Sequence, residues 1–385
     1  MNSGLSILAD SAAGRRVVLG HDWLTGMRGG EKVLRYFAEA FPDAPIATLL
    51  ADKSAIDASI TSHPLKCSFL QRIPGIARRY RSFLPLMPLA ARTLRLPPAD
   101  LLLTTSHCVA KGFRKPRGAR HVCYCFTPMR YAWLFREEYL GHGMKSALAR
   151  PLLAWLRDWD RRASDGVDRF IAISHCVADR IRDFYGRDCD MVYPPVDTGF
   201  YTPAPGAKNG APPDSDREGA GFDLIVSALV PYKRIDLAVR AYTRAGLQLK
   251  VVGTGTGAAE LKSLAGPTVE FLGWRSDEEI RSLYRSCRML LFPGEEDFGI
   301  VPLEAMACGR PVVAYSRGGA LDTVKEGVSG LFFAEQTEDC LLDAVSRAAS
   351  AEWDPAAIRA HAEEFGPDRF LSGIAASIRS TLRAR

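Results

Sequence analysis

Short β-branched or aliphatic runs, each closed by a Gly, Ser or Asp turn and followed by a helical period, recur along nearly the whole chain. RRVVLGH opens the series, with the glycine turn GMRGG and the helical stretch EKVLRYFAEAF behind it, and PIATLL, LLLTTS, HVCYCF and DRFIAIS continue it. Strands alternating with helices predict a parallel sheet covered on both faces. The pattern breaks near Met191, and between Pro203 and Gly221 proline, glycine and polar residues dominate, too little apolar surface to order a core. Alternation then resumes through FDLIVSAL, IDLAVRAYTRA, LQLKVVG, TVEFLG, SDEEIRSLYRSC, RMLLFP, LEAMACG, RPVVAYS and GLFF, which predicts a second parallel sheet of at least six strands. The expected fold is α/β, with one Rossmann-like doubly wound domain over 1–195, a second over 196–365 with 203–221 as a flexible loop or linker, and a helix over 366–385 returning to the first.

A length of 385 residues suits two domains, and 47% hydrophobic with 24% charged residues is the composition of a globular protein. No apolar run is long enough for a signal peptide or a membrane span, so the expectation is a cytoplasmic protein. Nine cysteines without a C-x-x-C pair read as reduced packing residues. Charge divides unevenly: residues 1–195 carry 29 Lys+Arg against 18 Asp+Glu, the remainder 21 against 26. A basic first half calls for an anionic partner: membrane lipid, nucleic acid or a phosphorylated substrate.

The most informative stretch is Phe292 to Tyr315. A buried strand runs into the acidic glycine loop GEEDFG, a helix opens near Ile300, and Gly309 stops it before the next strand. Ligands of doubly wound sheets bind at such strand ends, where helix N-terminal N–H groups favour phosphate. Glu296 and Glu304 are suited to accept sugar and ribose hydroxyls there; the alternative is a pair of solvated surface acids. The apolar neighbours Ile300, Val301, Leu303, Ala305, Met306 and Ala307 argue against that, because an acid among them needs a partner.

Glu296, seven residues and Glu304, set in EDFGIVPLEAMACGRPVVA, resemble the acidic signature of the retaining family 4, or group 1, sugar-nucleotide glycosyltransferases of GT-B fold. The resemblance extends over most of the chain and implies two Rossmann-like domains facing across a cleft. It implies that Glu304 binds the nucleotide ribose, that Glu296 holds the donor sugar beside the reacting carbon, and that the Phe298, Gly299 and Ile300 backbone lies close to that sugar. SALVPYKRIDLAV resembles the diphosphate-binding turn, with Lys233 neutralising the leaving diphosphate. Many relatives carry an arginine where this chain has Ala228; Arg234 is either its substitute or a surface residue. Gly253 in VVGTGTG and Trp274 in FLGW resemble the glycine turn and the base end of the nucleotide domain, and Gly318 and Gly319 a matching loop, with Asp322 where relatives usually carry Glu. Taken alone, VVGTGTG also suggests a dinucleotide fingerprint and hydride transfer, but a short glycine run without the remaining pattern is weak support.

In the first half, HDWLTGMRGGEKV resembles the strand-one glycine loop, in which Gly29 and Gly30 let backbone approach the donor phosphate or acceptor; a plain tight turn is the other reading. Phe126 stands where relatives commonly place a histidine before Thr-Pro, and phenyl cannot shuttle protons. His107 is either its catalytic replacement or a capping or packing histidine, and Asp22 is open in the same way.

SFLQRIPGIARRYRSFLPLMPLAARTLRL mixes Arg72, Arg78, Arg79, Arg81, Arg92 and Arg95 with Phe69, Leu70, Ile76, Tyr80, Phe83, Leu84, Leu86 and Met87. These read either as short amphipathic helices on an anionic membrane surface or as core-facing helices with solvated arginines. KGFRKPRGAR adds Lys111, Arg114, Lys115, Arg117 and Arg120. No nucleic-acid-binding module accompanies the charge, so nucleic acid is not an expected partner.

The expected function is retaining transfer of a hexose, from GDP-mannose first and UDP-glucose second, to a polyprenyl-diphosphate-linked or free saccharide in surface-polysaccharide synthesis, by a protein peripheral at the inner membrane face. The nucleotide-sugar is a co-substrate and no cofactor is expected. No metal is expected either, since no D-x-D pair is present and Lys233 with helix termini can carry the diphosphate charge. A sugar-nucleotide epimerase of the same fold and a non-catalytic sugar-nucleotide-binding protein are the rivals.

Overall fold

The computed structural model describes residues 3–133, 144–205 and 221–384, so most of the 203–221 stretch lies outside the described residues. Two compact units divide the chain: residues 1–194 with 368–385, and residues 195–367.

Seven parallel strands form the sheet of the first unit: β1 Val17–His21, β2 Ile46–Thr48, β3 Leu65–Cys67, β4 Leu101–Ser106, β5 Arg120–Cys125, β6 Arg169–Ala172 and β7 Cys189–Met191. Their order is β3-β2-β1-β4-β5-β6-β7. Every residue of β1 and β4 is buried, as parallel strands covered on both faces must be. The helix Gly29–Ala40 supplies one cover, turning Val33, Leu34, Phe37 and Ala38 onto the sheet. The final helix, Pro367–Arg383, belongs to this unit; Phe370 stacks on Phe37 at 5.8 Å and meets the edge of Tyr124 at 5.6 Å.

In the second unit β8 Asp223–Val226, β9 Leu249–Val252, β10 Val269–Gly273, β11 Leu290–Phe292, β12 Val312–Tyr315 and β13 Gly330–Phe333 form a parallel sheet of order β10-β9-β8-β11-β12-β13. In both sheets the strand order reverses beside the first strand, between β1 and β4 and between β8 and β11. Crevices open at such switch points, beyond the strand C-termini. All nine cysteines are free.

Candidate functional site

At the C-terminal ends of β8, β9, β11 and β12, four loops converge because glycines let backbone touch backbone. A Cβ on Gly253, whose φ is 136°, would stand 1.8 Å from the Ser227 carbonyl oxygen, and one on Gly255 would stand 2.2 Å from that of Leu229. Gly294 lies against Lys233, where a Cβ would meet Cα at 2.8 Å. Gly318 and Gly319 press on the acidic loop: Gly319 N–H donates to the Glu296 carbonyl at 2.8 Å, and its Cβ would fall 2.2 Å from Phe298 Cα.

The result is a charged pair at the switch point. Lys233, closing a 3-10 turn after β8, forms an ion pair with Glu296, and the two side chains are 14% and 22% exposed. Phe298 is buried beneath the loop, and Gly299, with φ of 98°, turns the chain into the helix Ile300–Ala307, whose first residue is half-buried. Glu304, one turn in, is half-buried and accepts a hydrogen bond from Tyr284 Oη at 2.9 Å. Trp274, just beyond β10, is 71% exposed.

Arg234 follows Lys233 but is turned elsewhere. Among the described residues it is the one non-glycine with positive φ, at 51°. Its guanidinium donates to Gln336 Oε1 at 2.9 Å and to Asp236, while Gln336 Nε2 donates to the Pro293 carbonyl. These bonds hold a left-handed backbone that disfavours any side chain, and they tie the β8 and β11 loops together.

At the β1–β4 switch point of the first unit, the polar groups face one another. The fully buried Asp22 carboxylate accepts backbone N–H bonds from His107, Cys108, Val109 and Ala110 at 2.5 to 3.0 Å. Burial would raise its pKa; the neighbouring histidines and these N–H groups outweigh it and hold the pKa low. Asp22 is thus the anchor of the β4 loop. His107 Nδ1 stands 3.1 Å from Asp22 Oδ2, and its ring meets Trp23 edge-on at 4.5 Å and lies 6.4 Å from Phe126. Loss of hydration lowers the His107 pKa against the opposing Asp22 charge, so its ring is neutral near pH 7.

His21 and Glu31 join this cluster; both lie in HDWLTGMRGGEKV, where the motif points to the glycines rather than to them. Thr105 Oγ1 donates to the Gly20 carbonyl, which makes His21 Nδ1–H the donor in its 2.6 Å bond to Thr105. Nε2 is left as a buried lone pair with no hydrogen-bond partner, 4.0 Å from Glu31 Oε1. Burial lowers the His21 pKa to about 3 and raises that of Glu31 to about 7.

Gly29 and Gly30 of GMRGG are the first helical residues rather than part of the turn before the helix, which opens at Gly29 and leaves Gly26 in the preceding bend. They differ in role. A Cβ on Gly30 would meet His21 and Phe126 at 3.2 and 3.3 Å, whereas one on Gly29 would touch nothing.

Lys111 does not add to the basic surface. It is fully buried, 2.5 Å from Asp160, and donates to the Cys108 carbonyl; Asp160 also accepts from Tyr185 and Trp133. Burial opposes its charge, but Asp160 outweighs that and raises its pKa. Lys115 and Arg120 pair with Asp168.

The stretch 68–95 divides between core and surface. Leu70, Ile76, Tyr80 and Met87 are buried in the core, so they are not available to a membrane, while Arg72, Arg78, Arg79, Arg81, Arg92 and Arg95 are exposed. Phe69, Leu86 and Leu89 are exposed at 40%, 42% and 53%. No acidic residue occurs between Asp57 and Asp100. A groove of about 730 Å³ between β3 and the helix Met87–Thr93 is lined by Leu65, Lys66, Phe69, Leu89, Leu94 and Arg95. Among the described residues no group of three His, Cys, Asp or Glu could hold a metal, and no helix is long and apolar enough to cross a membrane.

Two doubly wound parallel-sheet units, the second with its charged loop cluster at the switch point, define the architecture of GT-B glycosyltransferases. Family models agree: glycosyltransferase family 4 matches residues 27–200 and glycosyl transferases group 1 matches residues 215–365. The chain belongs to this family. A D-inositol 3-phosphate glycosyltransferase of Mycobacterium avium is 30% identical over 248 residues, 58% of this chain and 57% of that relative. The match therefore spans little more than half the length of the curated relatives. Among solved structures, the lipopolysaccharide outer core galactosyltransferase WaaB has a TM-score of 0.65 at 16% identity, covering 95% of this chain and 99% of that one. Anabaena HepE, crystallised with UDP and glucose, has a TM-score of 0.64 at 19% identity, covering 96% and 100%. At these identities the likeness is one of fold.

Tyr284, Gly255, Gly294, His21 and Glu31 are not singled out by a reading of the sequence. Gly255 and Gly294 carry a signal, as glycines of VVGTGTG and GEEDFG, and His21 and Glu31 lie in HDWLTGMRGGEKV, which points to its glycines; Tyr284 carries none, since its importance lies in what folding brings against it.

Proposed function

We propose that the protein is a retaining, metal-independent hexosyltransferase that uses GDP-mannose or UDP-glucose as donor. The observation carrying this reading is the Lys233–Glu296 pair, held at the β8–β11 switch point with Glu304 one turn into the adjoining helix. In this mechanism the donor diphosphate draws Lys233 away from Glu296. The ammonium then follows the charge that develops as the bond to the anomeric carbon breaks, and Glu296 is released to accept the donor sugar's hydroxyls. Glu304 accepts from the ribose. The Phe298–Ile300 backbone borders the sugar, and a donor phosphate oxygen takes the acceptor's proton on the same face, so Phe126 is not required as a base.

The acceptor is a saccharide, lipid-linked or free, and the acid-free stretch from 58 to 99 meets an anionic membrane surface with Arg72, Arg78, Arg79 and Arg81. Its seven cations and the exposed Phe69, Leu86 and Leu89 support that partner.

The test is a donor screen by mass spectrometry with and without membrane lipid extract, in chelator. The expected result is nucleoside diphosphate released together with a hexosylated acceptor whose anomeric configuration matches the donor. Unchanged kcat in both Glu296→Gln and Lys233→Ala overturns the assignment, and conversion of donor without acceptor makes the protein an epimerase. Transfer independent of lipid removes the membrane partner.

A further inference from the structure

Arg234 occupies a backbone position made for glycine. Its φ of 51° lies in the left-handed region, where glycine fits freely and another residue is disfavoured by about 1–2 kcal/mol. Strain of this kind persists only where the surroundings hold it, and it points to a use for the side chain. The guanidinium's charge is already met: Nε donates to Asp236 Oδ1 at 3.3 Å and Nη1 to Gln336 Oε1 at 2.9 Å, while Asp236 is paired in turn with Arg240.

Gln336 stands on the loop after β13, yet it reaches the loop after β11, where its Nε2 donates to the Pro293 carbonyl at 2.9 Å. A primary amide suits this place because it accepts at one atom and donates at the other. A carboxylate would set an acceptor against the carbonyl, and an alkyl chain would serve neither partner. Gly294, next to Pro293, lies so close to Lys233 that a Cβ would stand 2.8 Å from both its Cα and its carbonyl oxygen. The circuit closes there: Lys233 leads to Arg234, Arg234 to Gln336, Gln336 to Pro293, and Gly294 back to Lys233. Glu296 lies two residues further along the same loop. Any shift of the Lys233 backbone against that loop has to break one of these bonds or drive backbone into backbone.

We propose that Arg234 and Gln336 are positioning residues, a strut that fixes the Lys233 backbone against the Glu296 loop so that the ammonium meets the charge developing on the donor diphosphate. Arg234 acts through geometry, not as a second phosphate-binding cation in place of the arginine missing at Ala228. This rests on Lys233 being the diphosphate cation. A flexible lysine still reaches a bound diphosphate when its backbone drifts, but a misplacement of about 1 Å spoils alignment with the transition state and lowers the rate by up to about 10²-fold.

Release of UDP from UDP-glucose and of GDP from GDP-mannose, with membrane lipid extract as the acceptor source, tests this in wild type, Arg234→Gly, Gln336→Leu, the double variant and Lys233→Ala. UDP and GDP titrations and thermal melts accompany the kinetics. Glycine keeps the left-handed turn without strain, so Arg234→Gly removes the strut alone. Each single variant should lower kcat by about 10- to 100-fold, with KM and nucleotide Kd within about threefold of wild type and Tm little changed. The double variant should be no more than about twofold slower than either single, because both cut one strut. UDP and GDP binding weakened about tenfold or more by Arg234→Gly, with Gln336→Leu silent, makes Arg234 a phosphate ligand and overturns the proposal. Losses that multiply in the double variant, or that appear only in step with a lower Tm, overturn it too. If Arg234→Gly does not fold, Gln336→Leu decides, since a phosphate-binding arginine leaves that variant silent. Wild-type kcat in Gln336→Leu while Lys233→Ala is slow removes this inference alone. Wild-type kcat in Lys233→Ala, or a wild type that turns over neither donor, removes the donor reading with it.

Discussion

The two switch points are built to the same plan and use charge in opposite ways. Beside β1, Asp22 is fully buried and its carboxylate is occupied by four backbone N–H groups, and Lys111 behind it is paired with Asp160. Beside β8, Lys233 and Glu296 pair with each other, both partly exposed, in loops whose backbones glycines allow to touch. Charge in the first unit holds a loop in shape; charge in the second can be reached by a ligand. Residues of one type therefore need burial and partners, not identity, to separate scaffold from chemistry.

Asp22→Ala should break the contrast most. It strands four buried N–H groups at about 1–3 kcal/mol each before relaxation, so urea denaturation should show a loss of at least ~4 kcal/mol; a loss below ~1 kcal/mol would make Asp22 no anchor. Lys233→Ala should do the reverse, lowering kcat by about 10²–10³ while the unfolding free energy stays within ~1 kcal/mol of wild type. Glycine pairs sharpen the point further. Gly319→Ala drives a Cβ against Phe298 backbone and should cost ~2 kcal/mol along with donor affinity, whereas Gly29→Ala meets open space and should be neutral or stabilising by up to ~1 kcal/mol.

The smallest effect is one of pH. Burial lifts Glu31 from 4.5 to about 7, so through that window the folded chain holds a proton the unfolded chain has lost, and stability declines as pH rises. His21 and His121, kept neutral by burial down to about pH 3, act in the opposite sense: the unfolded chain takes up their protons below about 6.5, and stability declines as pH falls. Thermal melts from pH 5 to 8 should show Glu31→Gln gaining on wild type as pH rises; parallel curves would mean that Glu31 is ionised throughout.

Legibility followed range. Strand runs, helical periods and the Glu296–Glu304 segment are local patterns, and β1, β4, β5, β8, β11 and β12 lie where those runs predict them. GMRGG was legible as a glycine site but not for which glycine is crowded, because Phe126, distant in sequence, and the folded-back His21 stand against Gly30 and nothing stands against Gly29. The arginines of 68–95 were legible as charge, yet their apolar partners could not be divided between core and surface, since short turns broken by prolines 74, 85 and 88 present no single face. Lys111 was misplaced for the same reason: Asp160, which buries it, lies 49 residues further on.

By itself, then, the sequence determined the alternation of elements, the two-sheet plan and the family, because hydrophobic period and turn chemistry act over a few residues. Tertiary structure decided which charges are scaffold and which are accessible, and brought Tyr284 to Glu304. Burial and partnership depend on contacts between residues tens of positions apart, and no local pattern encodes them.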